Sequence, residues 1–245
     1  MHIYIYDSWL SQKKHLSKLS EIEGKLTDLG LSGRVCRLGR LRSLSDIVRQ
    51  ELRRMPKTIV AVGDDSIISQ VISLLGASGV PLGIIPIGNN NKIAGGLGIN
   101  TANACNVLAA RRTIEIDLGL VNNRAFVRRA EIIGPHLKLL IDDNYLITGS
   151  ASKMEVVNFM LDTEEFVAQR KPRPQSGCLY LLITKEAGGF LKKYTEQSLV
   201  PFKKLTIETD EATVKLDGFS DVNRPRQITI LPNGLSVIVG RERRF

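Results

Sequence analysis

Cysteine, histidine and aromatic residues are scarce in this chain of 245 residues, which holds three Cys, three His and 5% aromatics. Each shortage removes a class of function. Cys36, Cys105 and Cys178 are odd in number, far apart and in no CxxC or Cys/His spacing, which points to a reducing compartment and away from a structural zinc site. His2, His15 and His136 are scattered with no Ser or Cys partner at a recognisable motif, so a nucleophilic triad has no support. So few aromatics offer little stacking surface for single-stranded nucleic acid. No apolar run reaches the roughly 18 to 20 residues that cross a bilayer, and Met1–Leu10 carries neither a basic n-region nor a long apolar h-region. A soluble, cytoplasmic protein is the expectation.

Acids are also short: 25 Asp and Glu face 34 Lys and Arg, a net charge of +9. The excess is spread through both halves of the chain. Its densest stretches, Arg34, Arg37, Arg40 and Arg42 and the tail Arg241 to Phe245, read as solvated faces rather than as a nucleic-acid surface. A diffuse positive balance suits an anionic membrane surface, a nucleotide or simple solubility, and alone chooses none of them. With 43% hydrophobic and 24% charged residues the chain has ordinary globular composition and can bury a core.

Two patterns divide the chain near residue 112. In residues 1–112, strands alternate with helices, as in a parallel sheet covered by helices. His2–Tyr6, Arg34–Leu38, Thr58–Val62 and Pro81–Ile85 read as strands, and the β-branched run Thr58–Val62 belongs to a strand buried on both faces. Ser11–Leu29, Ser43–Met55, Ile67–Leu75 and Ala102–Ala110 read as helices. In residues 113–245 short strands are expected at Ile114–Leu118, Ala125–Val127, Leu137–Ile141, Tyr145–Thr148, Val156–Phe159, Leu179–Thr184, Leu205–Glu208, Thr213–Leu216, Ile228–Leu231 and Leu235–Val239, separated by turn signals such as Asn122-Asn123, Asp142-Asp143-Asn144 and Pro232-Asn233-Gly234, which suggests an antiparallel β-sandwich. The predicted class is α/β followed by all-β, with the last strands free to pack back on the first domain.

Chemistry points to the ends of two strands. Val62 runs directly into Gly63-Asp64-Asp65-Ser66 and a helix, and Ile85 leads into Gly88-Asn89-Asn90-Asn91. Both loops lie at carboxyl ends of strands in one sheet, where helix N-termini offer free backbone N–H groups to phosphate. A plainer reading stands beside this one: Asp65 or Ser66 as a helix cap with two acids at the positive end of the helix dipole, and an Asn-rich loop as a good turn.

These segments resemble the catalytic domain of diacylglycerol and sphingosine lipid kinases, a group that shares its fold with NAD kinase. Ile59-Val60-Ala61-Val62-Gly63-Asp64-Asp65-Ser66 is similar to a strand followed by the family's GGDGT loop. Pro81 to Lys92 is similar to its PLGIIPLGTGND loop. Ile116-Asp117-Leu118-Gly119 and Phe126 follow in the family's order, and Val214 to Phe219 resembles the approach to its DGE tripeptide. The resemblance implies a nucleotide-binding α/β domain, a β-sandwich, ATP and Mg²⁺ as cofactors, and phosphoryl transfer to a lipid hydroxyl at an anionic membrane surface, here the inner face. It assigns Gly63, Asp64, Ser66, Gly88, Asn89, Asn90, Asn91 and Lys92 to the nucleotide, Asp65 and Asp217 to catalysis, and Asp65 to the metal. An exposed sandwich edge is compatible with a homodimer.

Several family positions are altered. Asp64 stands on the second glycine of GGDGT, Ser66 on the third and Ile67 on the threonine. Asn89 and Asn90 replace Thr-Gly, Lys92 replaces an acid, and Phe219 replaces the Glu of DGE. The first strand runs into Asp7-Ser8-Trp9, without the family's NPxSG-like loop. A carboxylate at Asp64 repels phosphate unless a metal intervenes, and a lost glycine places a Cβ where backbone N–H groups would approach it. Two functions therefore stand open: a divergent lipid kinase, and a catalytically inactive relative that binds a nucleotide, a lipid or a partner protein.

Overall fold

A computed structural model describes residues 1–39, 42–149, 153–161, 171–189 and 192–244; Arg40 and Phe245 of the basic stretches lie outside them. The chain forms two compact units, one of Met1–Ile116 with Leu235–Arg244 and one of Asp117–Gly234. No described helix is long and apolar enough to cross a membrane.

In the first unit the elements run β1 (His2–Tyr6), a 3₁₀ turn (Ser8–Ser11), α1 (Lys13–Asp28), β2 (Gly33–Arg37), α2 (Leu44–Leu52), β3 (Thr58–Gly63), α3 (Asp65–Leu75), β4 (Leu82–Pro86), α4 (Lys92–Gly96) and α5 (Ala104–Ala110). The strands pair in parallel in the order β2-β1-β3-β4. Every residue of β3 and β4 is buried, which the continuous apolar run at Thr58–Val62 anticipates for central strands. Ser43 caps α2 by accepting the Asp46 N–H at 3.1 Å. Helix α3 begins at Asp65, two residues before the predicted start, because Asp64 is its cap. Helix α4 has only five residues and no apolar period to betray it.

The second unit opens within β5 (Thr113–Val121) and continues through β6 (Arg124–Phe126), β7 (Arg129–Ile133), β8 (Leu137–Ile141), β9 (Tyr145–Gly149), β10 (Lys153–Val157), β11 (Leu179–Gly189), β12 (Lys192–Phe202), β13 (Lys204–Ile207), β14 (Thr213–Leu216), β15 (Ser220–Asn223) and β16 (Gln227–Ile238). One antiparallel sheet has the order β12-β11-β10-β7-β14-β15, and β16-β13-β8-β9 form the other layer. Alternate residues of both sheets, among them Leu139, Val156, Leu181, Leu205 and Val214, share a single apolar core, which makes the unit a sandwich. The strands predicted at Ile228–Leu231 and Leu235–Val239 are one strand. Its turn signal survives only as Asn233 in the left-handed region (φ 50°). The residues of β16 from Leu235 onward belong to the first unit, where Val237 pairs in parallel with Leu82 of β4.

Candidate functional site

The two loops predicted to converge do so through Asp65. This residue is 3% exposed, and its carboxylate accepts the N–H of Lys92 at 2.7 Å on Oδ2 and that of Ile93 at 3.0 Å on Oδ1. Its own N–H donates to Asn90 O at 2.9 Å. The first residue of α3 thus holds the first turn of α4, joining the loop after β3 to the loop after β4. Asp64 Oδ1 accepts the Ser66 N–H at 2.9 Å, the ordinary N-cap bond. Asn91 Nδ2 donates to Gly88 O at 2.7 Å and closes the second loop on itself.

The backbone N–H groups of Asp65, Ser66, Lys92 and Ile93 therefore each have an internal acceptor. The orphaned buried side-chain atom of these loops is Asn91 Oδ1, an acceptor rather than a donor. Gly88, Asn89, Asn90 and Lys92 are exposed.

Gly63 and Gly88 hold positive φ, 150° and 108°. A Cβ on Gly63 would lie 2.6 Å from Ile67 Cγ2 and 3.1 Å from Asp7 Cβ; one on Gly88 would lie 3.4 Å from Asp64 Cβ and 3.5 Å from the Trp9 ring. Asp7 and Trp9, on the turn after β1, escaped the sequence reading as site residues, and their place there was signalled by chain order alone. Trp9 in turn meets the His15 ring edge-on at 4.7 Å. The ground beside both glycines is occupied by two carboxylate side chains and an indole.

Asp217 belongs to the second unit. It sits at φ 47° after β14, and its carboxylate accepts three backbone N–H groups: Val127 at 2.9 Å on Oδ2, and Arg128 at 2.8 Å and Arg129 at 3.1 Å on Oδ1. Asp117, 3% exposed, does similar work elsewhere in that unit, accepting Asn233 N–H and Gly177 N–H, each at 2.9 Å. It thereby fastens the left-handed residue of β16 and the turn at 174–177. Asn158, fully buried, donates from Nδ2 to Asp117 O at 2.7 Å and Val127 O at 2.8 Å. Neither Asp117 as a clamp nor Asn158 was legible beforehand, since both act over long separations in the chain.

Among the described residues no group of three or more His, Cys, Asp or Glu is placed to hold a metal ion. The buried Asp65 carboxylate already closes two backbone bonds, so any Mg²⁺ there would depend mainly on water and nucleotide phosphates for its ligands.

An open parallel α/β sheet whose loops meet at the carboxyl ends of its central strands, joined to an antiparallel sandwich, is the architecture of the lipid-kinase class. Residues 4–121 match the diacylglycerol kinase catalytic domain. A diacylglycerol kinase from Bacillus anthracis str. Sterne aligns over 98% of this chain and 97% of its own, with a TM-score of 0.75 at 19% identity. A second structure from the same organism, provisionally assigned to the same activity, aligns over the same shares with a TM-score of 0.78 at 17% identity. At such identities the likeness is one of fold. No curated protein matches the chain.

Proposed function

We propose that this chain is a non-catalytic member of the diacylglycerol kinase family, a binding module that keeps the two-loop architecture without using it for phosphoryl transfer. The observation that carries the reading is the Asp65 clamp. Phosphoryl transfer asks a protein for positioned donors and charge neutralisation, yet the N–H groups of Ser66, Lys92 and Ile93 are closed internally by Asp64 and Asp65. An ionised carboxylate about 4 Å from a phosphate charge opposes it by about 4 kcal/mol at an effective dielectric of 20. A helix N-terminus offers typically about 0.3 to 1 kcal/mol in return, so Asp7 and Asp64, which crowd Gly63 and Gly88, oppose a phosphate there unless a metal ion offsets them.

The competing reading is an active kinase, with ATP and Mg²⁺ as cofactors, Lys92 on phosphate, Asp65 and Asp217 in catalysis, and a lipid hydroxyl as acceptor at an anionic membrane surface. It is favoured by the family match over residues 4–121 and by the retained positive φ of Gly63 and Gly88. Incubation with γ-labelled ATP, Mg²⁺ and diacylglycerol vesicles separates the two. The non-catalytic reading expects no labelled lipid from the wild type, with Asp65→Asn lowering thermal stability. Label transfer that a still-folded Asp65→Asn abolishes would establish the kinase instead.

A further inference from the structure

The first unit holds an open cavity of about 520 Å³ that none of the predicted site residues lines. One wall is a face of α5, presenting Asn103, Asn106, Val107 and Ala110 at helical spacing; the other is the tail at Val239–Glu242. The tail is held there by backbone bonds from Val239 N to Arg112 O at 2.8 Å, from Gly240 N to Leu97 O at 2.9 Å and from Arg244 N to Gly96 O at 3.0 Å. The approach is so close that a Cβ on Gly240 would overlap the Gly98 carbonyl, and one on Gly98 (φ 73°) would lie 2.8 Å from Glu242 backbone atoms. The walls are thus fixed before any ligand arrives, which removes an ordering cost from binding.

The lining includes two arginines, Arg112 between α5 and β5 and Arg241 on the tail, against one acid, Glu242. Neither arginine side chain has a carboxylate partner among the described residues. Asn100 and Asn103 bond within their own turn, Asn100 Oδ1 accepting the Asn103 N–H at 2.9 Å and Asn103 Nδ2 donating to Gly98 O at 3.1 Å. Asn106 is exposed and has no such turn bond, and Val107, Ala110 and Val239 supply an apolar surface. Guanidinium forks match phosphate oxygens in pairs, and the volume falls in the range of small-molecule sites while exceeding the needs of a bare anion.

We infer that this cavity binds a small phosphomonoester, with Arg112 and Arg241 on the phosphate and the α5 face under the body of the molecule. The inference is independent of whether the loops at Gly63 and Gly88 transfer phosphate. Titration calorimetry with ribose 5-phosphate, inorganic phosphate and ribose tests it. Ribose 5-phosphate should bind more tightly than inorganic phosphate, and ribose should not bind. Arg112→Ala and Arg241→Ala should each weaken ribose 5-phosphate at least tenfold, Ala110→Trp should abolish binding by filling the cavity, and Arg49→Ala, which removes an equal charge from α2, should change nothing. Absence of ribose 5-phosphate binding, or equal loss in Arg49→Ala and Arg112→Ala, would overturn the assignment, the latter by reducing it to attraction towards a basic surface.

Discussion

Asp65 and Asp217 make a natural pair for comparison, because the family resemblance gives both to catalysis and both turn out to bind backbone. Asp65 lies in the core of an α/β unit, reaches 27 residues along the chain and takes two N–H groups. Asp217 is half-buried in a β-sandwich, spans some 90 residues and takes three. One joins two loops at the carboxyl ends of strands in a parallel sheet; the other ties the end of β14 to the segment between β6 and β7. The lesson is that an aspartate kept at a family position can be explained by the N–H groups it satisfies. Its presence alone is therefore no argument for chemistry.

Removing the two carboxylates should expose the difference. Asp217→Ala leaves three N–H groups without acceptors and also places alanine at positive φ, so the loss should be the largest, about 4 kcal/mol by urea denaturation. Asp65→Ala should cost about 3 kcal/mol, with fewer bonds but deeper burial. If Asp65→Ala is instead neutral, the clamp between the loops carries no weight and the comparison fails. The glycines that flank Asp65 sharpen it further. Gly63→Ala should destabilise by about 2 kcal/mol, since a Cβ there meets Ile67 and Asp7 at an unfavourable φ, and Gly88→Ala by about 1 kcal/mol, since its loop is exposed and the contacts are ordinary.

A pH dependence arises in the same sheet. Burial pushes the Tyr4 hydroxyl up to about 12, and its O–H donates to Leu31 O at 2.6 Å. An unfolded tyrosine loses its proton near pH 10. The folded chain keeps a proton that the unfolded chain gives up, so the Tyr4 contribution is whole below about pH 10 and fades as pH climbs towards 12. Tyr4→Phe should flatten that alkaline decline while lowering stability at pH 8 by about 1 kcal/mol through the lost hydrogen bond.

The two units were unequally legible in the sequence. The strands β1 and β3 and the helix α2 announce themselves, β3 by the β-branched run at Thr58–Val62 and α2 by apolar residues at i, i+3 and i+4. In the sandwich, the strands expected at Leu137–Ile141 and Thr213–Leu216 coincide with β8 and β14. Strands β7, β12 and β15 were not read, because Arg128, Arg129 and Glu131 interrupt the first, Lys192–Gln197 is polar almost throughout, and Ser220–Asn223 resembles a turn. Their partners across the sheet make them strands: Glu131 stands opposite Glu155 on one side and Lys215 on the other. At the candidate site the convergence of the loops was legible from strand order. The direction in which Asp65 faces was not, since a carboxylate that holds backbone and one that holds a metal are the same letter.

The central claim is that the Asp64 and Asp65 carboxylates close the loops that follow β3 and β4. The most direct measurement is ATP·Mg²⁺ binding by calorimetry to the Arg112→Ala/Arg241→Ala protein, which removes any contribution from the second cavity. The account predicts no detectable heat at millimolar nucleotide. Saturable binding that weakens in Lys92→Ala and in Gly88→Ala would contradict it and return the loops to the family's chemistry.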